Sequence, residues 1–272
     1  MAEPDLATTA PAGAPDAGRI DRAAGTLLDA ERRRTAVRQL TEEWPDLDLP
    51  TAYAVQDAAL RRRTADGARL VGVKLGLTSV AKQRSIGIDA PVTAWLTDAM
   101  RWPGDRPVPY GRLIQPRAEP ELVLVLGERL RGPGVTAAAA LAAVRGIRAG
   151  IEIIDSRYTG FRFSLPDVVA DNASAALFVL GERELAPDAM DLVAEECRLE
   201  VDGEPVAAAT GADVLGSPAE ALARAANELA ARGLAVEAGS LVLTGGMTAA
   251  VPLLPGRPVT ARFGRLGTVE VR

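Results

Sequence analysis

The spacing of apolar positions changes once along this chain, near Gly67. Before it, residues 19–40 and 51–67 carry apolar side chains at helical spacing, with Ile20, Ala24, Leu27 and Leu28 marking one face of the first segment. The turn WPDLDLP separates the two segments, and Thr51 is the expected N-cap of the second. After Gly67 the pattern becomes short apolar runs bounded by Gly, Pro and Asp, which predict strands within 69–78, 120–130, 150–157, 174–181, 197–210, 239–246 and 258–272. Two of these runs read as hairpins, turning at Asp202-Gly203 and near 264–267. Helices are expected to interleave at 136–148 and 217–232. The second has Ser217 as N-cap, Pro218 at the first helical position, Glu220 at the capping-box position and Gly233 as the stop.

Strands and helices do not alternate regularly, so a doubly wound parallel sheet is not indicated. The pattern predicts an α+β fold with a mixed sheet rolled or sandwiched around a core. One catalytic domain, 19–272, divides into a helical N-terminal region (19–66) and a β-rich core (67–272). Residues 1–18 are rich in Ala, Pro and Gly without periodicity and predict a disordered tail.

Composition narrows the chemistry. The chain has 272 residues, 48% of them hydrophobic, which is enough for a sizeable core. With 31 basic and 36 acidic residues the net charge is -5, so the basic footprint of a nucleic-acid binder is missing. No apolar run is long enough to span a membrane and the N-terminus does not read as a secretory signal, so a cytoplasmic protein is expected. Cys197 stands alone in an acidic stretch and reads as packing. There is no histidine, which removes Ser-His-Asp and Cys-His machinery and histidine-based metal sites. Oxygen donors remain, and these suit Mg²⁺ or Mn²⁺.

Three carboxylates stand where such an ion would need them. Glu119 and Glu121 enter an apolar strand two residues apart, so alternation turns both to one side, where their repulsion calls for a cation or a solvated edge. Glu152 lies among Ile151, Ile153 and Ile154, where an isolated charge is costly; a metal or a buried salt bridge, to an arginine for instance, would answer it. Asp155 and Arg157 mark the exit of that strand. Taken together, the three acids favour the metal. Lys74 sits mid-strand with Gly72 and Gly76 on its own face, leaving room for a ligand, or else it lines a wet sheet face. A G-x-G-x-x-A match at 132–137 resembles a dinucleotide fingerprint. It is discounted because the preceding strand is separated from it by GERLR and a proline occupies the turn.

The stretches GVKLGLTSVAKQRSIGIDAP, LIQPRAEPELVLVL, IEIIDSRYTGFRF, DVVADNASAALFVLG and LTGGMTAAVPLLPG, in that order from about Leu40 onward, resemble the 2-keto-4-pentenoate hydratase and 4-oxalocrotonate decarboxylase family, within the fumarylacetoacetase superfamily. The resemblance implies a mixed β-roll of the fumarylacetoacetase C-terminal type, homo-oligomers, and a metal on Glu119, Glu121 and Glu152. It also implies a functional lysine at Lys74 and a pocket lined by Leu77, Thr78, Ser79, Ser174, Thr244, Gly245, Gly246 and Thr248.

Hydratases of that family carry an Asp after the Pro of a G-V-x-x-P-D stretch. Here Pro91 is followed by Val92, and DSRYTGFRF and TGGMTAAVP resemble the decarboxylase forms, whereas LIQPRAEPE and LTDAM resemble hydratases. Decarboxylation of a small 2-oxo dicarboxylic acid, 2-oxohex-3-enedioate, is the implied activity. Hydration of 2-hydroxypenta-2,4-dienoate is the alternative, followed by acylpyruvate hydrolysis. A non-catalytic partner in a complex with a cognate hydratase is the rival from another class.

Overall fold

In the computed structural model of the protein, which describes residues 16–78 and 91–272, Asp16 caps the first helix, α1 (Ala17–Arg33), by accepting from the Gly18 and Arg19 amides. Helix α1 thus begins slightly before the expected end of the tail, whose residues 1–15 lie outside the described residues. The helix stops seven residues short of the predicted Leu40. Arg34 turns left-handed, and Val37 exchanges backbone hydrogen bonds with Arg157 and Thr159 of the core. A tertiary partner ends the helix there, and Arg32 and Arg33 suit the negative end of its dipole. A short helix α2 (Leu40–Glu43) leads to α3 (Leu49–Ala65). Its N-cap is Asp48, which accepts from the Thr51 amide at 2.8 Å, and not Thr51 itself; Pro50 sits in the first turn.

The larger sheet runs in the order β2 (Val92–Thr97), β1 (Leu70–Gly76), β8 (Leu241–Leu243), β3 (Arg117–Leu126), β4 (Val144–Ile154), β5 (Ala175–Leu185), with the short β9 (Val251–Pro252) also on β3. Only the β1–β8 pairing among these is parallel. The predicted helix at 136–148 is a correction: α4 covers only Ala137–Ala142, and β4 starts two residues later. Alanine-rich sequence favours helix locally, but Val144 and Ile147 are buried in a ladder that pairs β4 with β3 along its whole length. That ladder also makes β3 and β4 antiparallel neighbours. No βαβ unit follows the 132–137 turn, whose Val135 amide and carbonyl are both bonded to the side chain of Asn227.

A second sheet is ordered β11 (Gly267–Val271), β10 (Val259–Phe263), β6 (Glu196–Val201), β7 (Glu204–Thr210), and both predicted hairpins are present in it. Helix α5 (Leu165–Ala170) precedes β5, and α6 (Pro218–Ala231) has Ser217 as its cap, while Glu220 pairs with Arg224.

Three buried clusters explain the layering. Leu122, Leu124, Ile147 and Ile151 on one face of the large sheet pack with Leu222 and Leu229 of α6 and Leu199 and Val269 of the second sheet. Helices α1 and α3 cover β2 through Leu27, Val55, Val92 and Ala94. The third cluster, Leu96, Val123, Phe178 and Leu243, joins residues from the two outer strands to residues from the middle ones. Such contact requires the sheet to curl. Just beyond β2, Arg101 forms a bridge with Phe178 of β5, and the Trp102 amide donates to the Phe178 carbonyl at 2.9 Å. The large sheet is therefore a roll with these apolar residues inside. Among the described residues no helix is long and apolar enough to cross a membrane.

Candidate metal centre

Alternation along β3 sends Ala118, Leu122 and Leu124 to the outer cluster and Glu119, Glu121 and Val123 to the inside of the roll. Register does the rest: Glu119 stands directly opposite Glu152 on β4, and Glu121 opposite Gly150. Carboxylate oxygens of Glu119, Glu121 and Glu152 lie within 4.8 Å of one another, all buried. This is a crowded anionic site with little access to water.

Lys74 completes it from the far side. Two strands, β8 and β3, separate β1 from β4, which in a flat sheet is about 14 Å. The roll closes that gap, so that Lys74 Nζ is 2.9 Å from Glu152 Oε2 and donates to the Ala173 carbonyl at 3.0 Å. The salt-bridge partner of Glu152 is thus this lysine, not an arginine. Gly72 serves a different end from the one expected. A Cβ on Gly72 would stand 1.9 Å from the Leu241 carbonyl, so its smallness admits the parallel strand β8, not a ligand.

The chain leaving β8 wraps the acids. Thr244 donates from its hydroxyl and its amide to the Leu122 carbonyl, at 2.9 and 3.1 Å. The Gly245 amide donates to Glu121 Oε2 at 2.7 Å, in a left-handed conformation (φ 104°) in which a Cβ would collide with Thr78. On Gly246 a Cβ would come 2.3 Å from Glu119 Oε2. Thr78, Thr244, Gly245 and Gly246 therefore gather at the carboxylates, and Leu77 precedes Thr78 in a left-handed conformation (φ 58°). Ser174 and Thr248 direct their hydroxyls elsewhere, to Asp171 and to the Ala249 carbonyl. Ser79 lies outside the described residues.

Charge balance here is unfavourable without a cation. Among the described residues, three carboxylates against one ammonium leave two formal negative charges in a buried space. Burial pushes the Glu121 carboxyl well above its usual range, and repulsion from Glu152 and Glu119 adds to the effect. Burial works against the Lys74 charge too, but Glu152, Glu119 and Glu121 together hold its ammonium above the usual lysine value. Among the described residues, Glu121 Oε1 and Glu152 Oε1 have no hydrogen-bond partner. Hard anionic oxygens, close together and unsatisfied, fit a small divalent cation.

Charged residues read at the level of sequence as marking the end of β4 are buried instead. Asp155 accepts from the Ile114 and Gln115 amides at 2.8 and 2.7 Å. Arg157 is spent on Asp171 and on the carbonyls of Asp155, Asp171 and Ala175. The family resemblance places the segment 172–174 at the pocket, but Asp171 carries no such signal, since an acid in a polar turn looks solvated. The burial of Asp171 arises only from the chain packed over it. Cys197 is buried as expected, its thiol pushed up to about 12 by burial and by Glu195.

A model of the fumarylacetoacetate (FAA) hydrolase C-terminal family matches residues 82–272. The chain belongs to the FAA hydrolase family. Within it, the chain is 40% identical over 236 residues, 87% of its length and 89% of the relative's, to 4-oxalocrotonate decarboxylase from Pseudomonas sp. (strain CF600). It is also 35% identical, over 90% of its length and 94% of the relative's, to 2-hydroxyhexa-2,4-dienoate hydratase from Comamonas testosteroni. Among solved structures it resembles 4-oxalocrotonate decarboxylase from Pseudomonas putida G7 complexed with magnesium and adipate. That match has a TM-score of 0.93 and 36% identity, covering 96% of this chain and 99% of that one. The mixed, rolled fold expected from the strand pattern is the fold of this FAA hydrolase relative.

Proposed function

We propose that this protein is a Mg²⁺- or Mn²⁺-dependent decarboxylase that converts 2-oxohex-3-enedioate (4-oxalocrotonate) to 2-hydroxypenta-2,4-dienoate and CO₂. The observation that carries this reading is the buried set of Glu119, Glu121, Glu152 and Lys74, inside a chain so similar to a decarboxylase whose structure holds magnesium and adipate. Adipate is a straight-chain dicarboxylate of the same carbon count as the proposed substrate.

Glu119, Glu121 and Glu152 would hold the metal, which when bound supplies Lewis-acid polarisation of the substrate's 2-oxo group. In the reaction the C5–C6 bond breaks and its electron pair becomes the C4–C5 double bond. The former C3–C4 π pair moves to C2–C3, the carbonyl pair goes to the 2-oxo oxygen, and that oxygen takes up one proton. Lys74 has three N–H donors, one of them bonded to the Ala173 carbonyl, and its ammonium stands 2.9 Å from Glu152 Oε2. A further N–H orients a substrate carboxylate or delivers the proton. Phe178, Val123 and Leu243 form the apolar interior behind the acids and exclude water from the developing charge.

Hydration of 2-hydroxypentadienoate is the second reading, favoured by the hydratase from Comamonas testosteroni. Val92 argues against it: where hydratases would carry an ionisable Asp to assist water addition, this chain has a buried aliphatic side chain. The proposal extends to a cytoplasmic homo-oligomer, able to form a complex with a cognate hydratase. Apolar side chains exposed at Leu70, Val193, Val206 and Leu254 support assembly, and light scattering on the purified chain tests it.

The test of the activity is an ultraviolet assay of chelator-stripped protein with each substrate, with and without Mg²⁺ or Mn²⁺, coupled to CO₂ detection. Metal-dependent CO₂ release from 2-oxohex-3-enedioate is expected. Metal-dependent loss of 2-hydroxypentadienoate without CO₂ release from the other substrate would transfer the assignment to a hydratase, and inactivity on both would overturn it.

A further inference from the structure

Between α5 and β5 the chain holds three consecutive residues in the left-handed region: Asn172 (φ 50°), Ala173 (φ 47°) and Ser174 (φ 59°). None is glycine. Asparagine tolerates this conformation, but alanine and serine do not favour it, so the run persists only because its surroundings hold it. Two sets of contacts do so. On one side, the Asn172 amide group pairs with the outward edge of β2: its Oδ1 accepts from the Trp95 amide at 2.8 Å and its Nδ2 donates to the Trp95 carbonyl at 2.9 Å. This mimics a strand's two-point pairing and docks the turn on an edge that the ladder leaves open. On the other side, Asp171 is locked to Arg157, which also donates to the Ala175 carbonyl just past the turn.

The turn thus fixed carries the Ala173 carbonyl, and this is the acceptor of Lys74. Register explains the precision. Trp95, which Asn172 grips, pairs with Val73, and Ala94 beside it pairs with Lys74. Asn172 and Lys74 are therefore anchored to adjacent rungs of one two-stranded ladder. Movement of the turn relative to β2 moves the lysine's acceptor by the same amount.

We propose that Asn172 is a positioning residue: by gripping the Trp95 backbone it holds the left-handed 172–174 turn so that the Ala173 carbonyl and Glu152 together aim the Lys74 ammonium. The role of Lys74 in turnover rests on the decarboxylase reading, whereas its placement by Asn172 does not. Without this grip Nζ loses one of its two restraints among the described residues, and the lysine loses its direction while metal binding by the three glutamates persists.

A test needs a readout of Lys74 that is independent of substrate. Lys74 and Lys82 are the only lysines in the chain, so amine acetylation with isotope-coded acetic anhydride and mass spectrometry follows each of them, normalised to its own rate in the unfolded protein. The variants are Asn172→Gly, which accepts the left-handed backbone but loses both bonds to Trp95, and Asn172→Asp, which keeps the left-handed tolerance and the acceptor but loses the donor. The expected result for Asn172→Gly is Lys74 acetylation about tenfold faster, with Lys82 unchanged. Turnover is expected to fall on the order of tenfold to a hundredfold at an unchanged KM, because a small misplacement of a reacting group costs that much. Asn172→Asp is expected to fall between Asn172→Gly and the wild type in both measures.

Acetylation of Lys74 at the wild-type rate in both variants would overturn the proposal, even if turnover fell or the thermal midpoint dropped. Loss of turnover would then come from elsewhere. Inactivity of the wild type on both substrates would count against the proposed function alone, since the acetylation result stands without it.

Discussion

Glu121→Gln separates a metal ligand from a structural carboxylate, because the two roles predict shifts of opposite sign. Glutamine keeps an oxygen able to accept the Gly245 amide, which Glu121 Oε2 now accepts at 2.7 Å, so the local hydrogen bond survives. What disappears is a negative charge whose oxygen lies within 4.8 Å of those of Glu119 and Glu152. Two like charges at that separation repel by about 3.5 kcal/mol at an effective dielectric constant of roughly 20. Attraction to Lys74 and partial protonation reduce this, leaving a relief of about 1–3 kcal/mol in the metal-free protein. The chelated variant is therefore expected to melt a few degrees above the chelated wild type.

Metal changes the order. At a Mg²⁺ concentration about 100 times the dissociation constant, binding stabilises the wild type by about 2.7 kcal/mol. With an unfolding entropy of about 2.1 cal/mol/K per residue over the roughly 250 described residues, that raises the midpoint by about 5 °C. The variant is expected to gain less than about a fifth of this, by the same linkage relation.

The pH dependence carries a sign of its own. Glu121 has its folded-state pKa raised above the ordinary 4.5, so the stability it contributes is complete below 4.5 and is lost as pH rises through the raised value. The wild type should lose metal-free stability over that window, and the variant should lose less. Differential scanning fluorimetry with EDTA and with Mg²⁺ across pH reads all of this. If the variant melts several degrees below the wild type in EDTA and Mg²⁺ leaves the wild type unmoved, the acids are structural and the metal centre is wrongly inferred.

Lys74→Met, which keeps the length but not the charge, is expected to lower kcat by about 10²–10⁴-fold while the Mg²⁺-induced rise in midpoint remains; loss of that rise would assign the lysine to metal binding. Gly246→Ala places a Cβ against Glu119 Oε2 and is expected to weaken Mg²⁺ binding at least about tenfold in a calorimetric titration, as misaligned ligands do, and unaltered affinity would refute the close packing at 246. Cys197, with its thiol pushed up to about 12 from an ordinary 9.0, should resist iodoacetamide in the native protein and react only on unfolding. Its contribution to stability is complete below pH 9 and declines as pH rises toward 12, which a Cys197→Ala comparison of alkaline melting checks.

Local order was written in the sequence wherever it depends on residues near one another. The period of two in RAEPELVLVL put Glu119 and Glu121 on one face, and the folded chain keeps them there. Asp202-Gly203 turned its hairpin, Ser217 capped its helix, and the lack of histidine left only oxygen ligands for an ion. Where local preference conflicted with pairing, pairing won: 144–148 looked helical after an alanine run, yet the ladder with β3 claimed it as strand, and Val37 ended α1 by bonding to the core.

Only the tertiary structure decided how the pieces of the site meet. Alternation fixes the side of a strand on which Lys74 or Glu152 stands, but the distance between them depends on the curl of a sheet with two other strands lying between. The purpose of Gly72 depended on the approach of β8, the burial of Arg157 and Asp171 on the chain folded over them, and the pairing of Asn172 on the edge of β2. The physical reason is range. Face and turn follow from the covalent geometry of a few consecutive residues, whereas curl and register are sums over many weak pairings distant in sequence. A glutamate's direction is thus legible from its neighbours in the chain, and the lysine that meets it is known only once the roll has formed.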